Sequence, residues 1–120
     1  MNNLKYSIVY AVIRPEINEQ LSVGIILMDG TRTVFRYSEN KLKAVKALYT
    51  EKEYAFFEGL IKGLADDKTI TTEQGIDYLN RYSNNLLAVS KLEGIELPLN
   101  EDSTNWMFSQ YIDRKTRISA

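Results

Sequence analysis

The chain has 120 residues, 44% hydrophobic and 26% charged, with 15 basic against 16 acidic side chains and a net charge of −1. At this length a single domain buries roughly two thirds of the surface of its unfolded chain and needs no covalent or metal staple, so one domain spanning 1–120 is expected. The sequence has no cysteine and no histidine, which excludes disulfides, thiolate nucleophiles, imidazole bases and the usual zinc ligand sets, while the near-zero net charge offers no global attraction to phosphate backbones.

The first element is a strand over Leu4 to Ile13, rich in Tyr, Ile and Val. Leu4, Tyr6, Ile8, Tyr10 and Val12 share one face, and Val9, Ala11 and Ile13 make the other apolar too, the pattern of a central strand covered on both sides. Leu21 to Met28 reads likewise. Asp29-Gly30 is a favoured pair for a two-residue type I′ turn, and Arg32 to Tyr37 returns as a third strand. That turn sets Gly24 opposite Phe35, so the glycine either leaves room for the ring or marks a bulge.

Helices follow. Ser38 caps a segment with Leu42, Val45, Leu48 and Tyr49 at helical spacing. Thr50 and Glu53 form a capping box for a helix bearing Tyr54, Phe57, Leu60, Ile61 and Leu64 and ending near Ala65. Gly59 and Gly63, one turn apart, each cost about 1 kcal/mol relative to alanine, which a close neighbouring backbone would offset. Thr71 with Gln74 caps a third helix carrying Ile76, Leu79 and Tyr82 and closing at Ser83-Asn84-Asn85. Leu86 to Leu92 is a fourth strand, and Gly94 to Pro98 a connection. The last helix starts at Asn100-Glu101-Asp102-Ser103, ends among Arg114, Lys115 and Arg117, and packs through Trp106, Phe108, Tyr111 and Ile112. The expected fold is α+β, a mainly antiparallel sheet of about four strands with helices packed on it.

No phosphate-binding glycine loop, nucleophile elbow or Ser-x-x-Lys signature in an apt context occurs, and the carboxylate pairs Glu16/Glu19, Asp66/Asp67 and Glu101/Asp102 read as solvated surface. No catalytic residue, cofactor or metal ligand is assigned. Without a secretory leader pattern or an apolar run near the roughly 18 residues of a membrane span, the expected location is the cytoplasm, with no membrane contact.

Two segments remain as binding candidates. The polar connector between the first two strands carries Arg14, Glu16, Asn18, Glu19 and Gln20 around Pro15, longer than a tight hairpin needs. Its plain reading is an Arg14–Glu19 pair across the loop base; its functional reading is a recognition loop. Arg32 and Arg36 share one face of the third strand, and with Lys41, Lys43 and Lys46 they form a basic cluster for a nucleic-acid module, the less favoured alternative because Glu39, Glu51 and Glu53 dilute it. Eight tyrosines are many for this length and suit a protein interface.

The run from Tyr6 to Gly30, with the later "NNLLAVSKLEGIEL" and the aromatic final helix, resembles the uncharacterised bacterial family of domains of unknown function numbered 3037. Tyr6, Ser7, Arg14, Pro15, Glu19, Val23 and Gly24 carry the likeness, and Ser22 stands where that family usually has asparagine. A weaker likeness links "VGIILMDGTRTVFRYSENKL" to the N-terminal subdomain of HipA-type kinases. The resemblance implies a non-catalytic accessory or regulatory protein, partnered with a HipA-like kinase in a toxin–antitoxin type of module. A small enzyme of unrecognised type is the remaining alternative, and homo-oligomerisation is left open.

Overall fold

The computed structural model describes residues 4–66, 68–81 and 86–113. Its sheet is built on a long hairpin of β1 (Leu4–Arg14) and β2 (Glu19–Met28), extended on one side by β3 (Thr33–Tyr37). On the other side two short strands, β4 (Leu87–Val89) and β5 (Glu93–Ile95), lie one after the other along β1, and all pairings are antiparallel. Four helices complete the fold: α1 (Glu39–Leu48), α2 (Glu51–Asp66), α3 (Glu73–Arg81) and α4 (Glu101–Tyr111). The α+β architecture with an antiparallel sheet is as the sequence pattern predicts.

Both faces of the sheet are covered, which accounts for the two-sided apolar pattern of β1. Val9 and Ala11 from β1, with Val23, Ile26 and Met28 from β2, meet Leu42, Val45, Phe57, Ile61, Leu64 and Ile76 of the first three helices. Leu4, Ile8, Ile25 and Leu27 face the other way, against Leu99, Met107 and Ile112. A β-bulge between the pairs Val9/Gly24 and Tyr10/Ser22 leaves Val23 as the extra residue of β2. The bulge lets Val23 join the same core as Ile26 despite the odd spacing.

The β2–β3 connection differs from the expected two-residue turn. Gly30 has φ +92°, but Asp29 does not adopt the positive φ that type I′ requires. Instead residues 29–32 form a four-residue loop in which Asp29 Oδ1 accepts from the N–H groups of Thr31 (2.9 Å) and Arg32 (3.1 Å). Those donors hold the Asp29 carboxyl below its ordinary range. The longer loop moves the register by two residues, so Gly24 lies opposite Tyr37 rather than Phe35.

Local capping follows the sequence signals where they are short-range. Ser38 accepts from the Lys41 N–H. Thr50 and Glu53 form the reciprocal box, at 2.9 and 3.1 Å, and Asn100 caps α4 through the Ser103 N–H. The α3 cap is Thr72, which accepts from Gly75 N–H, one residue beyond the expected Thr71. Gly59 and Gly63 face open space instead of a neighbouring backbone, so nothing packed against them offsets their cost. Tyr82, the Ser83-Asn84-Asn85 stop and the basic trio Arg114, Lys115 and Arg117 lie outside the described residues.

The expected fourth strand, Leu86 to Leu92, is reduced to the three residues of β4; after a break at Ser90, Lys91 and Leu92 the chain pairs again as β5, which runs into the stretch expected as a connection. Ser90 keeps the β1 edge satisfied across that break. Its Oγ accepts the Ile8 N–H at 2.8 Å, its N–H donates to the Ile8 carbonyl, and its own carbonyl accepts the fully buried Ser7 hydroxyl at 2.7 Å.

Tyr49 fastens α1 to the sheet by a hydroxyl that lies 2.6 Å from the Val12 carbonyl and 3.1 Å from that of Leu86. Burial, with the Glu53 carboxylate second, pushes this hydroxyl up to about 12 from its ordinary 10.0. The folded state therefore prefers the neutral phenol. Its contribution to stability is complete below pH 10 and is lost as pH rises towards 12. Alkaline unfolding curves of wild type and Tyr49→Phe should converge over that window, the wild type falling more steeply; parallel curves would show that the buried hydroxyl does not titrate with folding.

Candidate functional site

The candidate connector is the tip of the β1–β2 hairpin. β1 runs on to Arg14 and β2 begins at Glu19, so only 15–18 leave the ladder, as a single turn of 3-10 helix at Pro15–Ile17 closed by Asn18. Pro15 suits the first position of such a turn because its missing N–H has no partner there anyway. Asn18 adopts the left-handed conformation, φ 55°, which asparagine tolerates better than most residues, and its N–H donates to the Pro15 carbonyl at 3.2 Å.

Arg14 and Glu19 are register partners across the hairpin, with Nε 3.6 Å from Oε1. Their side chains are 70% and 51% exposed, so the pair contributes about 0–1 kcal/mol. Glu16, Asn18 and Gln20 are exposed as well. The tip also holds Ile17, 65% exposed, an apolar side chain raised among charges that the polarity of the segment had masked. The result is a compact projection whose turn is held by Pro15, Asn18 and the Arg14–Glu19 pair.

The residues of the expected basic cluster are dispersed. Arg32 Nη2 donates to the Leu99 carbonyl, and Arg36 Nη1 donates to Asn105 Oδ1 with its guanidinium 5.8 Å from the Phe108 ring centroid. Both arginines thus tie β3 to α4 and the segment before it. Lys41 reaches from α1 to the Ser22 carbonyl at 2.9 Å and the Ser22 hydroxyl at 3.3 Å, and that hydroxyl lies 3.3 Å from the Tyr111 carbonyl at the end of α4. Burial lowers the pKa of its ammonium, opposed by Asp113. Lys46 lies 5.8 Å from the Tyr54 ring centroid, and Lys43 is exposed.

Trp106 departs from its expected role. Ser103, Thr104, Met107 and Ile112 are the buried positions of the α4 region, and Trp106 is 49% exposed. It lines an open groove of about 520 Å³ with Ile95, Glu96, Leu97, Asp102 and Ser103. The available signal was the spacing of Ser103, Thr104 and Met107, which sets Trp106 to one side of the stripe.

Among the described residues, no group of three or more acidic side chains could hold a metal ion, and no helix is long and apolar enough to cross a membrane. A scan against protein-family models found no match, and searches of curated proteins and of solved structures likewise found none.

Proposed function

We propose that this protein is a non-catalytic binding protein, acting in an accessory or regulatory role through another protein that contacts the β1–β2 tip. The observation that carries the reading is the tip itself: an exposed Ile17 held between Arg14 and Glu19 on a hairpin whose base is packed on both faces. A rigid turn presenting an arginine and an aliphatic side chain loses little conformational freedom on association, and interface energy concentrates in a few such anchors. The sequence likeness described above makes a HipA-type kinase the first partner to test.

Arg14→Ala and Ile17→Ala should each weaken binding to that partner by about 1–2 kcal/mol or more. Because both side chains are exposed, each should change folding stability by under about 0.5 kcal/mol. Titration calorimetry beside thermal melts separates the two quantities, with Lys52→Ala on the exposed side of α2 as the control. Undiminished binding by both tip variants would remove the tip from the contact.

A further inference from the structure

At the opposite end of β1 from the tip, about 30 Å away along the strand, lies the groove beneath Trp106. One wall is β5 and the residues after it, and the other is the first turns of α4. The two strands on this side of the sheet are finished differently. Asn80 of α3 donates to the Val89 carbonyl of β4 at 2.8 Å, whereas β5 pairs with β1 alone and no strand lies on its other edge among the described residues. Beside that open edge are the half-exposed side chains of Ile95 and Leu97 and the half-exposed indole. A smaller hollow of about 290 Å³ at Lys5, Gly94, Ile95 and Glu96 shares Ile95 and Glu96 with the groove.

Charge selects what fits there. Residues 93–102 contain Glu93, Glu96, Glu101 and Asp102 and no lysine or arginine. All four carboxylates are exposed, and none enters an ion pair with another described residue. Of the neighbouring cations, Lys5 is committed to Glu73 at 2.9 Å, Arg32 to the Leu99 carbonyl and Arg36 to Asn105 Oδ1, and none of the three pairs with a carboxylate of this segment. In a chain of net charge −1 this is a local concentration of negative charge around an apolar slot. A Leu or Phe side chain suits the slot, while flanking cations offset the mutual repulsion of the rim and gain from the indole face.

We infer that the Trp106 groove is a docking site for a basic segment of another protein, an extended peptide with one Leu or Phe set between Lys or Arg residues. This site shares no residue with the tip, so the two readings succeed or fail independently.

Trp106 is the single tryptophan of the chain, so its emission reports directly on the groove. The probe is the synthetic peptide Arg-Lys-Arg-Leu-Arg-Lys, with a counterpart carrying Glu at each basic position. The basic peptide should blue-shift Trp106 emission saturably, with affinity falling as salt is raised, and the acidic peptide should leave it unchanged. The double variant Glu96→Gln/Asp102→Asn, which alters exposed side chains only, should weaken binding at least tenfold, while Ile17→Ala should bind the peptide as wild type does. Absence of a saturable shift, equal response to the acidic peptide, or full affinity in the double variant would overturn the assignment. A blue shift that grows with protein concentration in the absence of peptide, accompanied by a dimer in sedimentation, would make a second copy the occupant instead. Peptide affinity raised by deletion of residues 114–120 would make the chain's own basic tail the occupant. Either result would replace the proposal.

Discussion

Truncation before Asn100 should abolish cooperative folding. α4 and Ile112 cover the second face of the sheet, where Leu4, Ile25 and Leu27 are fully buried and Ile8 nearly so, through Met107 and Ile112. Fully burying an aliphatic side chain of this size contributes about 1.5–3 kcal/mol. Uncovering several at once therefore removes an amount comparable with the whole stability of a domain, about 5–15 kcal/mol. Polar ties would be cut at the same time: Asn105 is the acceptor for Arg36, and Asp113 accepts from the Ser38 hydroxyl at the start of α1. The truncated chain should bind a hydrophobic dye, lose its sharp thermal transition and aggregate. A soluble fragment that melts cooperatively would show that the three remaining helices and one covered face suffice.

That second covered face was legible only in part. The alternation within β1 announced two apolar faces, because side chains of a strand point to opposite sides: one set is Leu4, Tyr6, Ile8, Tyr10 and Val12, and from Val9 onward the other is Val9, Ala11 and Ile13. The helix starts at Ser38, Thr50 and Asn100 were legible for a related reason: a cap is settled by residues two or three apart. Where two equivalent residues stood side by side, as Thr71 and Thr72 do, the sequence could not rank them. The turn at Asp29-Gly30 shows a different limit. Its residues mark a reversal, but the Asp29 carboxylate also accepts from Thr31 and Arg32 and so supports a longer loop.

The binding residues divide along the same line. Arg14 and Glu19 lie close in sequence on either side of a proline, and their pairing could be read before the fold was known. Arg32 and Arg36 find partners 67 and 69 residues away. From sequence they are cations on one strand face; in the fold Arg36 ties that strand to α4 and Arg32 holds the segment before it. Trp106 shows the converse. Size and hydrophobicity argue for the core, yet its neighbour Met107 takes the fully buried position and leaves the indole over the groove.

Gly24→Ala and Gly59→Ala should change stability in opposite directions. Both glycines sit inside regular elements, where replacing glycine by alanine gains about 0.5–1 kcal/mol if nothing obstructs the new methyl group. At Gly24 the methyl carbon would lie 3.0 Å from the backbone oxygen of Arg36, 3.0 Å from Phe35 Cε1 and 3.3 Å from Tyr37 Cβ. The Arg36 oxygen belongs to β3, paired with β2 in the sheet, and cannot retreat without disturbing that pairing. Phe35 and Tyr37 pack against the core, with ring centroids 5.7 Å apart, so neither ring has free space to enter. Overpacking at such a site costs about 1–3 kcal/mol, which exceeds the gain in backbone entropy. At Gly59, exposed on α2 with no atom within 4 Å of the added carbon, only the gain remains, about 0.8–1 kcal/mol. Denaturant titrations of the two variants would read both signs in one experiment. A Gly24→Ala protein more stable than wild type would show that β3 yields to the methyl group, and that the glycine is not what holds β2 and β3 so close.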